Sequence, residues 1–391
     1  MKRIAIIFDG DLTFPKGIVN ASLNRIKYLK KHSDFEIDVY AIQTYENVFI
    51  RFLKNKQKRK RLNEIVIDGI KIKLLWISFS LLDYFLVYKL GYKPLFTNGW
   101  YEKHLKLFEL YDALSVHSIF CGKFALKIYQ KYGIPYFVTW HGSDIHTFPF
   151  HNKYDKLYTI NVIENSACNF FVSKGLLDDS EKLTRKGRKQ VLYNGVSESF
   201  VKYSDDEKKV LKKLWNIERK KVVAFIGNLF PVKNVLLLPD IFKNVCDKYG
   251  DGIEFWVVGD GKLRDELQNS LNRNEIDYKF WGNQPPHKMP DIMNCIDVLV
   301  LPSKNESFGL VIVEALACGA NVVASNVGGI PEILASDNIF ELDNQFVNNI
   351  SNRIVEMLNS HIEQLLNETF SWKRTAELEA TIYKEMIISN N

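Results

Sequence analysis

The chain has 391 residues, of which 46% are apolar and 25% are charged, with 21 glycines and 11 prolines. This composition excludes collagen-like, disordered and disulfide-scaffold proteins, and the length predicts two domains. The net charge of +6 is unevenly distributed: residues 1–195 carry 31 Lys and Arg against 18 Asp and Glu, whereas residues 196–391 carry 21 against 28.

The first apolar run starts after Arg3 and stops at Asp9, too early for the apolar region of a secretory signal. The longest apolar stretch, residues 74–90, is interrupted by Asp83 and Lys89, which argues against a membrane-spanning helix. We therefore expect a cytoplasmic chain. Its five widely spaced cysteines contain no C-x-x-C pair, so neither a disulfide framework nor a structural metal is expected.

Strand-like apolar runs alternate with helix-period segments along the chain, which predicts an α/β fold with parallel sheets. The first series of predicted strands covers residues 4–8, 38–42, 70–76, 113–116, 136–140 and 169–172. The second covers residues 222–226, 254–258, 278–281, 298–301 and 321–324. We predict two doubly wound domains, residues 1–195 and 196–370, followed by a C-terminal crossover helix in residues 371–391 that packs back on the N-terminal domain. Ligands of such folds bind at the carboxyl ends of the strands, so an interdomain cleft is the expected site.

Residues 51–61 form a basic run in which seven of eleven residues are Lys or Arg. The run could be solvated surface, or it could bind an anionic membrane or a nucleic acid. A membrane surface is favoured over nucleic acid because the aromatic residues Trp76, Phe79, Tyr84 and Phe85 follow closely. No nucleic-acid-binding motif accompanies the run, so no nucleic-acid partner is expected.

His141 and Asp144 lie in a loop directly after the predicted strand at residues 136–140. A His and an Asp at a strand end could position a hydroxyl or a phosphate, although a buried structural histidine is an equal alternative. Neither His141 nor His146 has a Cys or carboxylate at a defensible metal-ligand spacing, so no metal is predicted.

In the second half, Gly227 would let the chain turn after its strand, and Lys233 would place a cation where a diphosphate could bind. An ordinary surface lysine is the alternative. Gly259 and Gly261 begin a dinucleotide-like pattern, but Arg264 stands where the third glycine is needed. This departure argues against a nicotinamide site and leaves two interpretations open, a nucleotide contact or a tight strand-to-helix loop.

The segment at residues 301–319 carries the most information. It predicts a strand end, a loop with Glu306, and an apolar helix over residues 308–318 whose first N–H groups could bind an anion. Glu314 is the only charged residue of that helix, and burying an unpaired carboxylate is costly, so sugar hydroxyls are suitable partners for it; a glutamate on the helix surface is the alternative. A glycine-rich strand-end loop follows at Gly328 and Gly329.

Together these segments resemble the retaining nucleotide-sugar glycosyltransferases of family 4, which have the GT-B fold. The matching motifs extend from the N-terminal strand to the end of the chain. They are residues 14–17, His141-Gly-x-Asp144, Val172-Ser173, Asn194-Gly195-Val196, Gly227-x-Leu229 with Lys233-Asn234, Gly259-x-Gly261, Phe280-x-Gly282, Glu306-x7-Glu314, residues 315–319 and Gly328-Gly329-x-Pro331-Glu332.

The resemblance implies a role for each matching residue. Glu306 would lie by the donor sugar, Glu314 would bind the ribose, and His141 would face the reacting centre. Lys233 and the helix start would hold the diphosphate, which Gly17 would approach from the other domain. The implied donor-binding residues are Gly17, Gly227, Asn228, Lys233, Glu306, Phe308, Gly309, Leu310 and Glu314; the implied catalytic residues are His141, Lys233 and Glu306, and Asp144 is the candidate acceptor contact. The family needs no metal or other cofactor.

Many family members carry Arg where this chain has Asn228, so Lys233 is the single family-matched cation for the leaving diphosphate unless a residue such as Arg264 contributes. The basic first domain resembles members that act on lipid-linked saccharides at the inner membrane face, in the synthesis of bacterial surface polysaccharides. The implied partners are a UDP- or GDP-sugar, a saccharide acceptor and an anionic membrane surface. The alternatives are a nucleotide-sugar 2-epimerase and a non-catalytic sugar-nucleotide-binding protein.

Overall fold

The computed structural model describes residues 1–10, 12, 17–46, 61–79, 82, 85–86, 95–217, 220–360 and 362–389. The chain forms two compact units, one made of Met1–Asn194 with Trp372–Asn391 and the other of Gly195–Ser371. Three features discussed above lie wholly or mostly outside the described residues: the loop at residues 14–16, the basic run up to Lys60, and most of residues 80–90. None of the described helices is both long and apolar enough to span a bilayer.

The described part of the first unit contains an eight-stranded sheet in the order β3-β4-β2-β1-β5-β6-β7-β8. Its strands are β1 Arg3–Asp9, β2 Glu36–Glu46, β3 Glu64–Ile67, β4 Ile70–Phe79, β5 Ala113–His117, β6 Tyr136–Trp140, β7 Cys168–Phe171 and β8 Lys189–Val191. Its helices are α1 Ile18–His32, α2 Leu95–Leu105, α3 Ile119–Tyr132, α4 Ser143–His146, α5 Lys153–Asn165 and α6 Lys174–Glu181, with short 3₁₀ helices at Lys106–Phe108 and Phe148–Phe150.

All neighbouring strands of this sheet are parallel except β3 and β4. Every residue of β5 and β6 is buried, as expected for strands covered by helices on both faces. The carboxyl ends of β1, β5 and β6 are therefore neighbours, and they deliver Asp9, His117 and His141 to one edge of the sheet.

The second unit has a six-stranded parallel sheet in its described residues, in the order β11-β10-β9-β12-β13-β14. Its strands are β9 Lys221–Ile226, β10 Ile253–Val258, β11 Tyr278–Gly282, β12 Val298–Leu301, β13 Asn321–Ser325 and β14 Ile339–Phe340. Its helices are α7 Asp205–Leu214, α8 Leu238–Tyr249, α9 Arg264–Arg273, α10 Met289–Asn294, α11 Leu310–Ala317 and α12 Phe346–Asn359. Its 3₁₀ helices are Pro231–Lys233, Val235–Leu237, Pro286–Lys288, Ile330–Glu332 and Ser336–Asn338.

The predicted α/β class with two doubly wound sheets is confirmed, but β3, β8 and β14 were missed. β3 is an edge strand with little burial, and it joins β4 through Asp68 and Gly69, which both have positive φ, as an Asp-Gly hairpin turn requires. The other two are edge strands of only three and two residues. Short, polar edge strands lack the apolar run on which the prediction rested.

The last helix, α13 Trp372–Ser389, belongs to the first unit, as expected from the sequence. It packs on α1 and is held by a fully buried ion pair, in which Arg25 Nε lies 2.6 Å from Glu379 Oε2. The hydroxyl of Tyr383 donates to Glu379 as well and lies 2.7 Å from Ser115 Oγ. The C-terminal segment is thus part of the polar core of the N-terminal unit.

Candidate active site

The carboxyl ends of β9, β12 and β13 share one edge of the second sheet because the three strands are neighbours and parallel. The loops that follow them carry most of the residues singled out in the sequence. Lys233 follows β9, Glu306 follows β12, and Gly328 follows β13. The loops after these strands form the candidate site of the second unit.

Lys233 and Glu306 form an ion pair between two of these loops, with Lys233 Nζ bonded to Glu306 Oε1. The same carboxylate oxygen accepts a hydrogen bond of 3.0 Å from Ser303 Oγ. The backbone also joins the loops, since Lys304 N donates to Val232 O at 2.8 Å. Glu306 is only 8% exposed, so its carboxylate is fixed by these partners with one small face open.

Gly328 fixes the other side of the Glu306 loop. It has a φ of 55°, and a Cβ on it would lie 1.8 Å from the carbonyl oxygen of Glu306. The next residue, Gly329, donates its N–H to that same oxygen at 2.9 Å. A side chain at position 328 would therefore push the loop, and the Glu306 carboxylate, away from its position.

The start of α11 lies just after this loop. We predicted a helix from about residue 308, but it begins at Leu310 because Gly309 adopts a left-handed φ of 94° at its N-cap. The Phe308 side chain is buried and packs on Phe370, with ring centroids 5.6 Å apart. Only the backbone of Phe308 is thus available to a ligand. The N–H groups of Leu310 and Val311 lack an acceptor within the helix, whereas Ile312 N donates to Gly309 O at 2.9 Å.

Glu314 lies in the second turn of α11 and is half-buried. No described residue hydrogen-bonds its carboxyl group, and burial raises its pKa to about 8. The carboxyl group is therefore largely protonated in the free protein at neutral pH. A ligand whose hydroxyls donate to it would stabilise the ionised form.

Gly259 and Gly261, in the loop after β10, let its backbone pack directly on the backbone of the loop after β9. A Cβ on Gly259 would lie 1.9 Å from Gly227 O, and one on Gly261 would lie 2.5 Å from Leu229 O. Leu229 N in turn donates to Asp260 O at 3.1 Å. Of the two interpretations left open for this pattern, the structure supports the tight loop.

Asn228 lies half-buried within the first of these loops. The possible additional cation, Arg264, is already occupied. Its Nη1 lies 3.0 Å from Asp260 Oδ2, and its guanidinium covers the ring of Phe280 at 4.7 Å. Arg264 and Lys233 are thus each paired with a carboxylate, Asp260 and Glu306 respectively.

The other predicted residues belong to the first unit. Gly17, with a φ of 42°, precedes α1, and no atom of the described residues lies within 4 Å of the position that a Cβ would take on it. His141 follows β6, is 9% exposed, and has its pKa lowered to about 3 by burial. It is neutral at physiological pH. Its Nε2 lies 3.1 Å from Nδ1 of His117, which itself lies 3.0 Å from Ser22 Oγ.

Asp144 is buried beside these histidines. Its Oδ1 accepts the Ile119 N–H at 3.1 Å, its Oδ2 has no hydrogen-bond partner among the residues that the structure describes, and burial raises its pKa to about 6. Asp9, at the end of β1, accepts from the Ser118 hydroxyl, and burial raises its pKa too. Two carboxyl groups with raised pKa values thus lie at this edge of the first sheet.

Several of these partners were missed by the sequence analysis, namely Ser22, His117, Asp9 and Ser118 in the first unit and Ser303 in the second. His117 and Asp9 end strands that were predicted nearly correctly, so their positions at strand ends were an available signal. Ser22 and Ser303 gave no signal, since single serines are common on surfaces. No group of three or more His, Cys, Asp or Glu placed to hold a metal occurs in the part of the chain that the structure describes.

The family model "Glycosyl transferases group 1" matches residues 206–384. An uncharacterized glycosyltransferase of Methanocaldococcus jannaschii is 27% identical over 269 residues, which are 66% of this chain and 70% of that protein. A Bacillus subtilis glycosyltransferase assigned to teichuronic acid biosynthesis, TuaC, is 25% identical over 235 residues, 59% of this chain and 57% of TuaC. The crystal structure of Anabaena HepE in complex with UDP aligns over 100% of this chain and 99% of HepE, with a TM-score of 0.68 and 20% identity.

Proposed function

Because this chain is a glycosyltransferase of the family 4 type with the GT-B fold, we propose that it transfers a sugar from a nucleotide diphosphate sugar to a saccharide acceptor, with retention of the anomeric configuration. The observation that carries the proposal is the Lys233–Glu306 pair beside the start of α11 and Glu314. It combines a cation, free helix N–H groups and two carboxyl groups, the chemistry that a nucleotide diphosphate sugar requires.

Each group has a separate task in this proposal. The Lys233 ammonium, with the N–H groups of Gly309 and Leu310, would neutralise the diphosphate as it leaves. Glu306, held by Ser303, would accept hydroxyl hydrogen bonds from the donor sugar, and Glu314 would accept those of the ribose. Gly17 and Gly227 would let backbone approach the nucleotide, and His141 would contact the donor sugar.

In the reaction, the bond between the anomeric carbon and the diphosphate oxygen breaks, and the acceptor oxygen bonds to that carbon on the same face. The acceptor proton passes to the leaving diphosphate oxygen. Charge develops mainly on the diphosphate, so Lys233 acts where the negative charge increases. No step requires a metal.

The first test is a thermal-shift screen of the purified chain against UDP, GDP and their sugar conjugates, with and without EDTA. A ligand that binds only the native state raises the melting temperature by mass action. We expect one nucleotide series to give a shift that persists in EDTA. The absence of a shift with every nucleotide in a folded sample would contradict the proposal.

We further propose that the acceptor is a lipid-linked saccharide of a bacterial surface polysaccharide and that the first unit contacts an anionic membrane. Two observations support this: residues 1–195 contain 31 basic residues but only 18 acidic ones, and the chain is similar to TuaC. Flotation with phosphatidylglycerol vesicles, but not with phosphatidylcholine vesicles, is expected. If the chain binds DNA at physiological salt as tightly as it binds the phosphatidylglycerol vesicles, the nucleic-acid alternative is favoured. Formation of an epimerised UDP-sugar in the absence of an acceptor would favour the 2-epimerase.

A further inference from the structure

His117 and His141 lie at the ends of β5 and β6 and are linked to α1 through Ser22. Ser22 Oγ lies 2.8 Å from Ile18 O, to which its single hydroxyl proton is donated. The same oxygen lies 3.0 Å from His117 Nδ1, and this nitrogen lies 3.1 Å from His141 Nε2. Ser22 and His117 are buried, so water does not compete for these bonds.

This chain of contacts fixes the direction of each hydrogen bond. The Ser22 proton is used by Ile18 O, so Ser22 Oγ can only accept from His117. His117 must therefore carry its proton on Nδ1, where it serves both Ser22 Oγ and His141 Nε2 as a three-centre bond. His141 Nε2 is then an acceptor, and the proton of the neutral ring lies on Nδ1.

The orientation of the two rings fits this assignment. Their planes differ by 21° and their centroids are 5.3 Å apart. The distance of 3.1 Å between His117 Nδ1 and His141 Nε2 is shorter than the distance between the centroids by about the sum of the two ring radii. Both nitrogens therefore lie near the line that joins the centroids. The rings therefore meet edge to edge, the direction along which a ring N–H donates and a ring lone pair accepts.

We propose that His117 is a positioning residue that holds His141 in its Nδ1–H form, so that His141 presents a fixed hydrogen-bond donor to the substrate. This rests on the proposed function only for the identity of the substrate. Nδ1 has no hydrogen-bond partner among the described residues and is not one of the fully buried unpartnered atoms. The matching ligand group is an acceptor oxygen, such as a hydroxyl or phosphoryl oxygen of the nucleotide sugar.

A chemical consequence follows for His141. One ring nitrogen accepts from His117 and the other carries a proton, so no lone pair is left to take a proton from the acceptor hydroxyl. His141 is therefore excluded as the general base. The proton must leave by another route, which agrees with its transfer to the departing diphosphate.

The tautomer can be measured without any substrate. Two-bond ¹H–¹⁵N correlation spectra of the whole chain labelled with ¹⁵N-histidine separate protonated from unprotonated ring nitrogens, and His141→Gln identifies the His141 signals. We expect a single neutral form of His141, with the proton on Nδ1. A proton on Nε2, or a mixture of both forms, would overturn the proposal.

Two variants of similar size separate positioning from packing. His117→Asn keeps N–H donors near Nδ1, whereas His117→Leu removes them. We expect His117→Asn to keep the single neutral form of His141 in the spectrum and a kcat within about fivefold of the unaltered chain. We expect His117→Leu to show a mixture of forms and to lose at least about 30-fold in kcat. His32→Asn, at the end of α1, is the control that should change neither.

Equal losses in both His117 variants with normal melting would show a merely structural role and overturn the proposal. If neither variant folds, the spectrum of the unaltered chain still decides the tautomer. If the unaltered chain binds no nucleotide sugar, the proposed function fails while the spectrum remains a valid test of the His117–His141 relationship.

Discussion

Gly328 holds Glu306 in place through direct backbone contact: a Cβ on Gly328 would lie 1.8 Å from the Glu306 carbonyl oxygen, to which Gly329 donates its N–H. The carboxylate of Glu306 and its partner Lys233 are thus placed by a loop from a third strand. The position of the ion pair depends on a residue that has no side chain and no chemistry of its own.

Gly328→Ala should lower kcat by about 100-fold or more, because a displacement of about 1 Å at a reacting group can cost that much. Steady-state release of nucleotide diphosphate measures it. Gly250→Ala is the matched control, since Gly250 has a φ of 85° but no atom within 4 Å of its Cβ position. Gly250→Ala should lose stability because alanine disfavours a positive φ, but it should keep its turnover. Equal losses of kcat in both variants would contradict the prediction.

Lys233→Met should lower both turnover and stability. It removes the cation for the leaving group, worth about 100-fold in kcat, and leaves the nearly buried Glu306 carboxylate unpaired. Adding Glu306→Gln should recover the free energy of unfolding but not the activity. Chemical denaturation and the turnover assay measure the two effects, and Lys213→Met, on the exposed face of α7, should affect neither. An active Lys233→Met variant would refute the site.

Glu314 predicts a pH-dependent affinity for UDP. Its pKa of about 8 means that the free protein must release a proton before the carboxylate can accept the ribose hydroxyls. The affinity should therefore rise with pH, by at most about tenfold per unit, and level off above about pH 8. Calorimetry between about pH 6.5 and 8.5 tests this, with Glu314→Gln as the reference for titration of the nucleotide itself. An equal slope in the variant would show that Glu314 is not involved.

Glu379→Met should destabilise the first unit strongly. It leaves the Arg25 guanidinium without its buried carboxylate, at a cost of about 3–5 kcal/mol, and within the described part of the chain Nη1 and Nη2 have no hydrogen-bond partner to compensate. The double variant Arg25→Met with Glu379→Met should recover most of this free energy. Lys384→Met breaks an exposed ion pair of the same helix with Asp34 and should cost less than about 1 kcal/mol. Similar losses from the exposed and the buried pair would contradict the argument.

The sequence was most informative where strands are fully buried. Residues 136–140 and 298–301 were predicted with the bounds that the structure has, because apolar runs between turn residues mark central parallel strands. The edge strand β14 has only two residues, and it pairs with β13 across the intervening loop of residues 326–338. Such pairing has no local pattern.

The candidate site shows the same division. Glu314 was singled out because it is the only charged residue of an apolar helix, whereas Lys233 and Glu306 were singled out mainly by the family motifs that contain them. The partners that orient them were not: Ser303 and Gly328 act through distances that only the folded chain creates. The helix start was misplaced by two residues because the left-handed turn at Gly309 ends the preceding loop.

The placement of α13 also sets an order of events during synthesis. Arg25 emerges from the ribosome early, but its partner Glu379 is made only after the whole second unit. Domains generally fold as units while the chain grows, so residues 195–371 can complete their own sheet while the N-terminal unit still lacks a helix. The part of the protein translated first is thus expected to be the last to reach its native state, and premature termination anywhere before Glu379 would damage the beginning of the chain.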